Sequence, residues 1–226
     1  MSLRLFIMKI IFWRIKKMKK YLSIALAIVL TLVAVLGLAA CSGEKKPVPY
    51  EGDLSAVIGT MYEKENGAIN AEFKGALVIN PIDVTDYWSI FGFLGLGSIE
   101  ELEAADAATD GNINVPDSGI KEAYFSESSF GMQPYSLVVA RVNDIDKVEE
   151  IKNEIFNNID MRKWVCTAAE QLRVASYGDV IMLVMSTPDF ANVDSLVQVF
   201  AETISNSQVT GGDVLSELTG EVLSKG

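Results

Sequence analysis

Tyr135-Ser-Leu-Val-Val-Ala-Arg-Val142 is apolar enough for a buried central strand, and the fold is read outward from it. Before it, Ile120-Lys-Glu-Ala-Tyr-Phe-Ser-Glu-Ser128 reads as a second strand, separated by the break Phe130-Gly-Met-Gln-Pro134. After it, Asp146 and Glu149 form a capping pair for a helix. Val148, Ile151, Ile155 and Ile159, helped by Phe156, make one apolar stripe on that helix. Glu149, Glu150, Lys152, Asn153 and Glu154 are expected on its solvated face. Leu172 to Tyr177 and Val180 to Met185 flank Gly178-Asp179, a hairpin signal. Val193, Leu196, Val197, Phe200 and Ile204 then lay out a second amphipathic helix. The order strand-strand-helix-strand-strand-helix predicts an α+β domain: a mostly antiparallel sheet with helices on one face.

The flanking segments are less regular. Leu54, Val57, Ile58 and Met61 share a face of a short helix that Asn66-Gly67 stops. Gly75 to Asn80 reads as a brief buried strand ended by Pro81. Tyr87 to Gly97 is the most aromatic part of the chain after residue 41. It reads as core with close-packing glycines, or else as an exposed partner-docking or membrane-touching surface. Met161 to Glu170 is ambiguous, with a second short helix as one reading. The tail after Gly211-Gly212 adds at most a marginal helix through Val214, Leu215, Leu218 and Val222.

Asp106 to Asp117 fits part of a twelve-position calcium loop, with oxygen ligands at Asp106, Asp110, Asn114 and Asp117 and glycine at Gly111. It is similar to the dockerin variant of that loop, but Ala108 supplies no ligand and Ser118-Gly119 starts no clear outgoing helix. The competing reading is a solvated loop in which Asp, Asn and Gly serve the backbone. No metal site is assigned.

The N-terminal part decides location. Five cations lie between Arg14 and Lys20, no acidic residue precedes Cys41, and an apolar run extends from Leu22 to Ala40. That is the pattern of a secretory signal. Leu38-Ala39-Ala40-Cys41 resembles the lipobox of bacterial lipoproteins. The resemblance implies a diacylglyceryl group on the Cys41 thiol and cleavage between Ala40 and Cys41. An uncleaved membrane-spanning helix is the rival reading of the same run. Residues 1–17 are either a start-site artefact or a long positive region. The chain thus divides into a signal (1–40), a lipidated N-terminus and flexible stalk (41–52), one α+β domain (53–210) and a C-terminal tail (211–226).

Beyond residue 40, 12 basic residues face 30 acidic ones, a formal charge of −18. Such a charge disfavours nucleic acid, which is not expected as a partner, and argues against lying flat on anionic lipid. With Cys41 committed to lipid, Cys166 is left alone, so no disulfide forms within the chain; it is expected packed beside Trp164 and Val165. The chain has no histidine, which removes histidine-dependent triads, zinc sites and general bases. No catalytic residue and no cofactor is expected. Carboxylate-only hydrolysis of glycans stays open.

Ala123 to Ser128, Ser136 to Val142, the Asp146 to Asn157 helix and the Tyr177-Gly-Asp-Val-Ile-Met-Leu-Val hairpin together resemble a family of Gram-positive lipoproteins that share a domain of unknown function. The resemblance spans roughly Leu54 to Ile204 and implies secretion and lipid anchoring, but no reaction. The expectation is a membrane protein held by lipid on Cys41, facing the extracytoplasmic side. It would be a non-enzymatic domain that binds an envelope protein or wall component. Calcium-dependent adhesion through Asp106 to Asp117 is the alternative, followed by a carboxylate-based glycan hydrolase.

Overall fold

Strand pairing follows the apolar runs. The computed structural model describes residues 48–101, 117–130, 133–205 and 214–226. Its elements are α1 (Leu54–Lys64), α2 (Ala71–Lys74), β1 (Leu77–Ile82), α3 (Tyr87–Leu94), β2 (Ile120–Ser128), β3 (Tyr135–Val142), α4 (Val148–Asn158), β4 (Gln171–Tyr177), β5 (Val180–Ser186), α5 (Val193–Ile204) and β6 (Leu223–Lys225). The strands form one six-stranded sheet in the order β1-β2-β3-β5-β4-β6, antiparallel throughout. The β2–β3 and β4–β5 hairpins are joined by α4, which carries the chain over β5 so that β5 lies between β3 and β4. This confirms the α+β fold.

The helices cover both faces of the sheet, where the sequence reading put them on one. Every residue of β3 and β5 is buried. A strand buried on both sides reads as a continuous apolar run, since alternation survives only where one face meets water. Tyr135, Leu137, Val139, Met182 and Val184 pack under α1 and α5. Val138, Ala140, Ile181, Leu183 and Met185 pack under α3 and α4. The stripes expected on α1, α4 and α5 are the buried faces.

Several local expectations are corrected. β1 is an exposed edge strand, with only Ile82 buried, and it runs through Pro81. An edge tolerates proline because the missing N–H is lost from a row that has one unpaired side. Asp146 and Glu149 do not cap α4. Asp144 accepts from the Asp146 N–H in a short 3₁₀ turn, Ile145–Lys147, that leads directly into the helix. Met161 to Glu170 forms turns, with Trp164 buried, Val165 81% exposed and Cys166 exposed at φ 70°. Cys166 is thus a surface residue. The tail forms a 3₁₀ turn (Val214–Glu217) and then β6 on the edge of β4.

Pro47–Gly226 is one unit, so the domain is longer at both ends than the expected 53–210. The expected stalk reached Gly52, yet Tyr50 and Gly52 are hydrogen-bonded to the body of the fold. Residues 1–47, with Ala40, Cys41 and the signal, lie outside the described residues, as do Asp106 and its loop up to residue 116. Among the described residues no helix is long and apolar enough to cross a membrane.

Candidate functional site

A chain without histidine can still activate a serine through a neighbouring lysine. Two such pairs exist among the described residues. Lys163 Nζ lies 3.2 Å from Ser136 Oγ, and Lys152 Nζ lies 3.3 Å from Ser176 Oγ. Both serines are essentially without solvent contact, at 0% and 1% exposure, so no substrate reaches either hydroxyl. Ser176 Oγ donates to the Thr219 carbonyl at 2.7 Å, which commits its proton. Lys163 is paired with Glu127 and sits over the rings of Phe93 (4.8 Å) and Trp164 (5.4 Å). Burial pulls its ammonium below the usual lysine range, and Glu127 opposes that shift. The geometry makes both lysines structural clamps.

Lys152 was expected on the solvated face of α4, but it is fully buried. It lies four residues after Val148 and three before Ile155, on the apolar stripe itself. Its ammonium donates to Glu149 (2.7 Å), Ser176, and the Thr219 (3.4 Å) and Glu221 (3.0 Å) carbonyls. A buried charge persists where such acceptors surround it. This lysine therefore ties the C-terminal segment to α4 and β4.

Among the described residues an open cavity of about 220 Å³ lies beside the N-terminal half of α3. Asp86 caps α3 by accepting from the Ser89 N–H at 3.0 Å. The helix ends at Gly95, φ 67°, where any Cβ would strike the backbone of Ile159 just past α4. Glycine is required there both by handedness and by this close approach. The chain then turns back through Ser98, whose N–H and hydroxyl exchange hydrogen bonds with Glu101 at the start of a further helical turn. This reciprocal pair is a capping box.

Ile90 and Leu96 supply apolar lining to the cavity, while Glu101, Asp117 and Glu154 supply carboxylates; no basic side chain among the described residues lines it. Tyr87 donates to Glu101 at 2.6 Å. That bond, with those from Ser98, holds the Glu101 carboxyl below its usual range. Burial, and then the Glu101 carboxylate, raise the Tyr87 hydroxyl. An ionised Glu101 accepts protons poorly and donates none, the opposite of the raised carboxylic acid a glycosidase needs. The carboxylates instead favour a small cationic ligand.

Asp117, the last position of the proposed calcium loop, accepts from the Gly119 N–H at 2.9 Å. Among the described residues no group of three or more side chains is arranged to hold a metal ion. The aromatic stretch is α3 and its turn: Tyr87, Ile90 and Leu94 are buried, while Trp88 is 54% exposed. Sequence reasoning missed the cavity because its wall joins Glu101, Asp117 and Glu154, which no local spacing connects. No protein-family description, curated protein or solved structure matches this chain.

Proposed function

We propose that this chain is a lipid-anchored extracytoplasmic protein whose domain binds an envelope component and catalyses no reaction. The observation that carries this reading is Leu38-Ala39-Ala40-Cys41, set behind the cations of Arg14 to Lys20 and the apolar run from Leu22. The resemblance to Gram-positive lipoproteins points the same way. Two acyl chains hold a protein stably on a bilayer, at about 0.8 kcal/mol per buried methylene. The burial of the serine in both lysine pairs supports a binding role over nucleophilic chemistry.

The test is membrane fractionation of cells carrying the native chain or Cys41→Ala, with externally added protease. The native protein is expected in the membrane fraction and open to protease from outside. Cys41→Ala is expected to lose lipid and processing. Normal processing of Cys41→Ala would overturn the reading.

A second reading, calcium-dependent binding, draws on one observation: Asp117 lines the same cavity as Glu101 and Glu154. A saturable rise in melting temperature with calcium but not magnesium supports it, and a flat titration rejects it.

A further inference from the structure

The chain enters the fold along an unusually well-held path. Arg141 is the one charged residue in β3, and it is 8% exposed. Its guanidinium donates to the Tyr50 carbonyl, to the Gly52 carbonyl at 2.7 Å, to Glu122 at 2.7 Å and to Asp179 at 3.3 Å. Asp179 in turn accepts from the Tyr50 N–H at 2.7 Å. The Arg141 guanidinium also lies 5.8 Å from the centre of the Tyr50 ring. One residue earlier in the β4–β5 turn, Gly178 has φ 55°, and a Cβ there would collide with the Val48 carbonyl. Val48 to Gly52 is therefore laid on the turn by backbone contacts that depend on Arg141, Asp179 and Gly178.

We propose that Arg141 and Asp179 clamp the N-terminal segment and thereby hold the β4–β5 turn end of the domain toward a lipid surface. The orientation rests on the anchoring reading above; the clamp itself does not. Six residues lie between Cys41 and Val48, so the seven Cα-to-Cα steps span at most about 25 Å of extended chain. A tether this short pulls on the domain where the chain is seated, at the end of β3 that carries Arg141. The other end of β3 lies about 25 Å away at strand rise. There Lys163 meets Ser136, and the neighbouring loops expose Phe130 and Val165. This end points outward, away from the bilayer. Without the clamp the free tether would lengthen, and the domain would tumble over its attachment point.

Two measurements on the full processed chain test this. Hydrogen exchange at the Tyr50 amide reads the clamp directly. Arg141→Gln is expected to speed that exchange roughly ten- to a hundredfold, the loss of a charge-assisted hydrogen bond. Tyr50→Pro, which removes the N–H donated to Asp179 without touching the sheet, covers the case in which Arg141→Gln fails to fold; it is read at the Glu51 and Gly52 amides, which should exchange faster than in the native chain, and unchanged exchange there overturns the clamp. Unchanged exchange of residues 48–52 in Arg141→Gln, or fast exchange of the Tyr50 amide in the native chain, overturns the clamp. Energy transfer to a dye in phosphatidylcholine vesicles reads the orientation, with a fluorophore on exposed Cys166 or on Asn143→Cys in a Cys166→Ala background. Strong transfer from position 143 and weak transfer from 166 is expected, the difference shrinking in Tyr50→Pro. Equal transfer from both positions in the native chain overturns the orientation. Failure of the anchoring reading shows separately, as a chain that does not float with vesicles, and the exchange measurement then decides the clamp alone.

Discussion

Replacing Lys152 by methionine isolates what a buried ammonium does for this fold. Methionine keeps an unbranched stem of similar volume in the α4–β4 contact, so little packing is lost. The loss is electrostatic. The Glu221 carbonyl loses the ammonium 3.0 Å away, while the Thr219 carbonyl keeps the Ser176 hydroxyl. Glu149 is 52% exposed on its side chain and is rehydrated easily, so its ion pair is worth under about 1 kcal/mol. Hydrogen bonds to a charged group contribute about 1.5–3 kcal/mol, offset in part because the variant no longer buries a charge. A net cost of about 2 kcal/mol follows, and at about 2–4 °C per kcal/mol for a domain of this size the melting temperature falls by about 4–8 °C. Glu149→Gln is expected to cost less than half as much. The assay pairs thermal unfolding with hydrogen exchange at the Thr219 amide, which donates to the Ser176 carbonyl at 2.7 Å. In Lys152→Met this amide should exchange faster than those of β3. Stability within about 0.5 kcal/mol of the native chain, an ordinary surface effect, with Thr219 still protected, would refute the clamp.

Three further outcomes follow from the two cores. Burial pushes the Tyr62 hydroxyl, 3.0 Å from that of Tyr135, up to about 12. An unfolded tyrosine ionises near its ordinary value of about 10, so the stabilisation is full below that pH and is lost as pH rises toward about 12. Tyrosinate absorbance should therefore show these two hydroxyls ionising together with alkaline unfolding. Burial works to raise the Glu65 carboxyl, but the Lys74 ammonium at 2.7 Å and the Ile69 N–H outweigh it and hold it below its usual range. Its contribution is present above the ordinary glutamate range and is lost as pH falls through the lowered folded value, so Glu65→Gln should flatten the acid limb of the stability curve. Phe200→Ala, at a side chain with no solvent exposure on the buried face of α5, should cost about 3–5 kcal/mol in chemical unfolding.

The strand and helix order was legible because each apolar run has a length and period that only one element satisfies. β2, the β4–β5 hairpin and the stripe on α5 appear where the pattern puts them. The two-sided sheet was also written in β3 and β5, whose runs do not alternate; reading them as central but one-faced ignored that. Lys152 illustrates a different failure. Its charge argued for solvent, while its spacing from Val148 and Ile155 argued for the core, and tertiary acceptors from residues 219 and 221 settled the conflict. Those acceptors are far off in sequence and lie in backbone, which no side-chain pattern reveals. The same holds for Arg141, half of whose partners are the backbone carbonyls of Tyr50 and Gly52. The cavity is harder still, since Glu101, Asp117 and Glu154 meet only after α3, β2 and α4 are in place. The tail's apolar spacing suggested a marginal helix and gave no sign of β6, which is three residues long and depends on β4 for its pairing.

The anchoring claim is tested most directly by the intact mass of the protein extracted from membranes. A chain that begins at Cys41 and carries the added mass of a diacylglyceryl group is the predicted result. A chain that retains residues before Cys41, or that has a free Cys41 thiol, would contradict it.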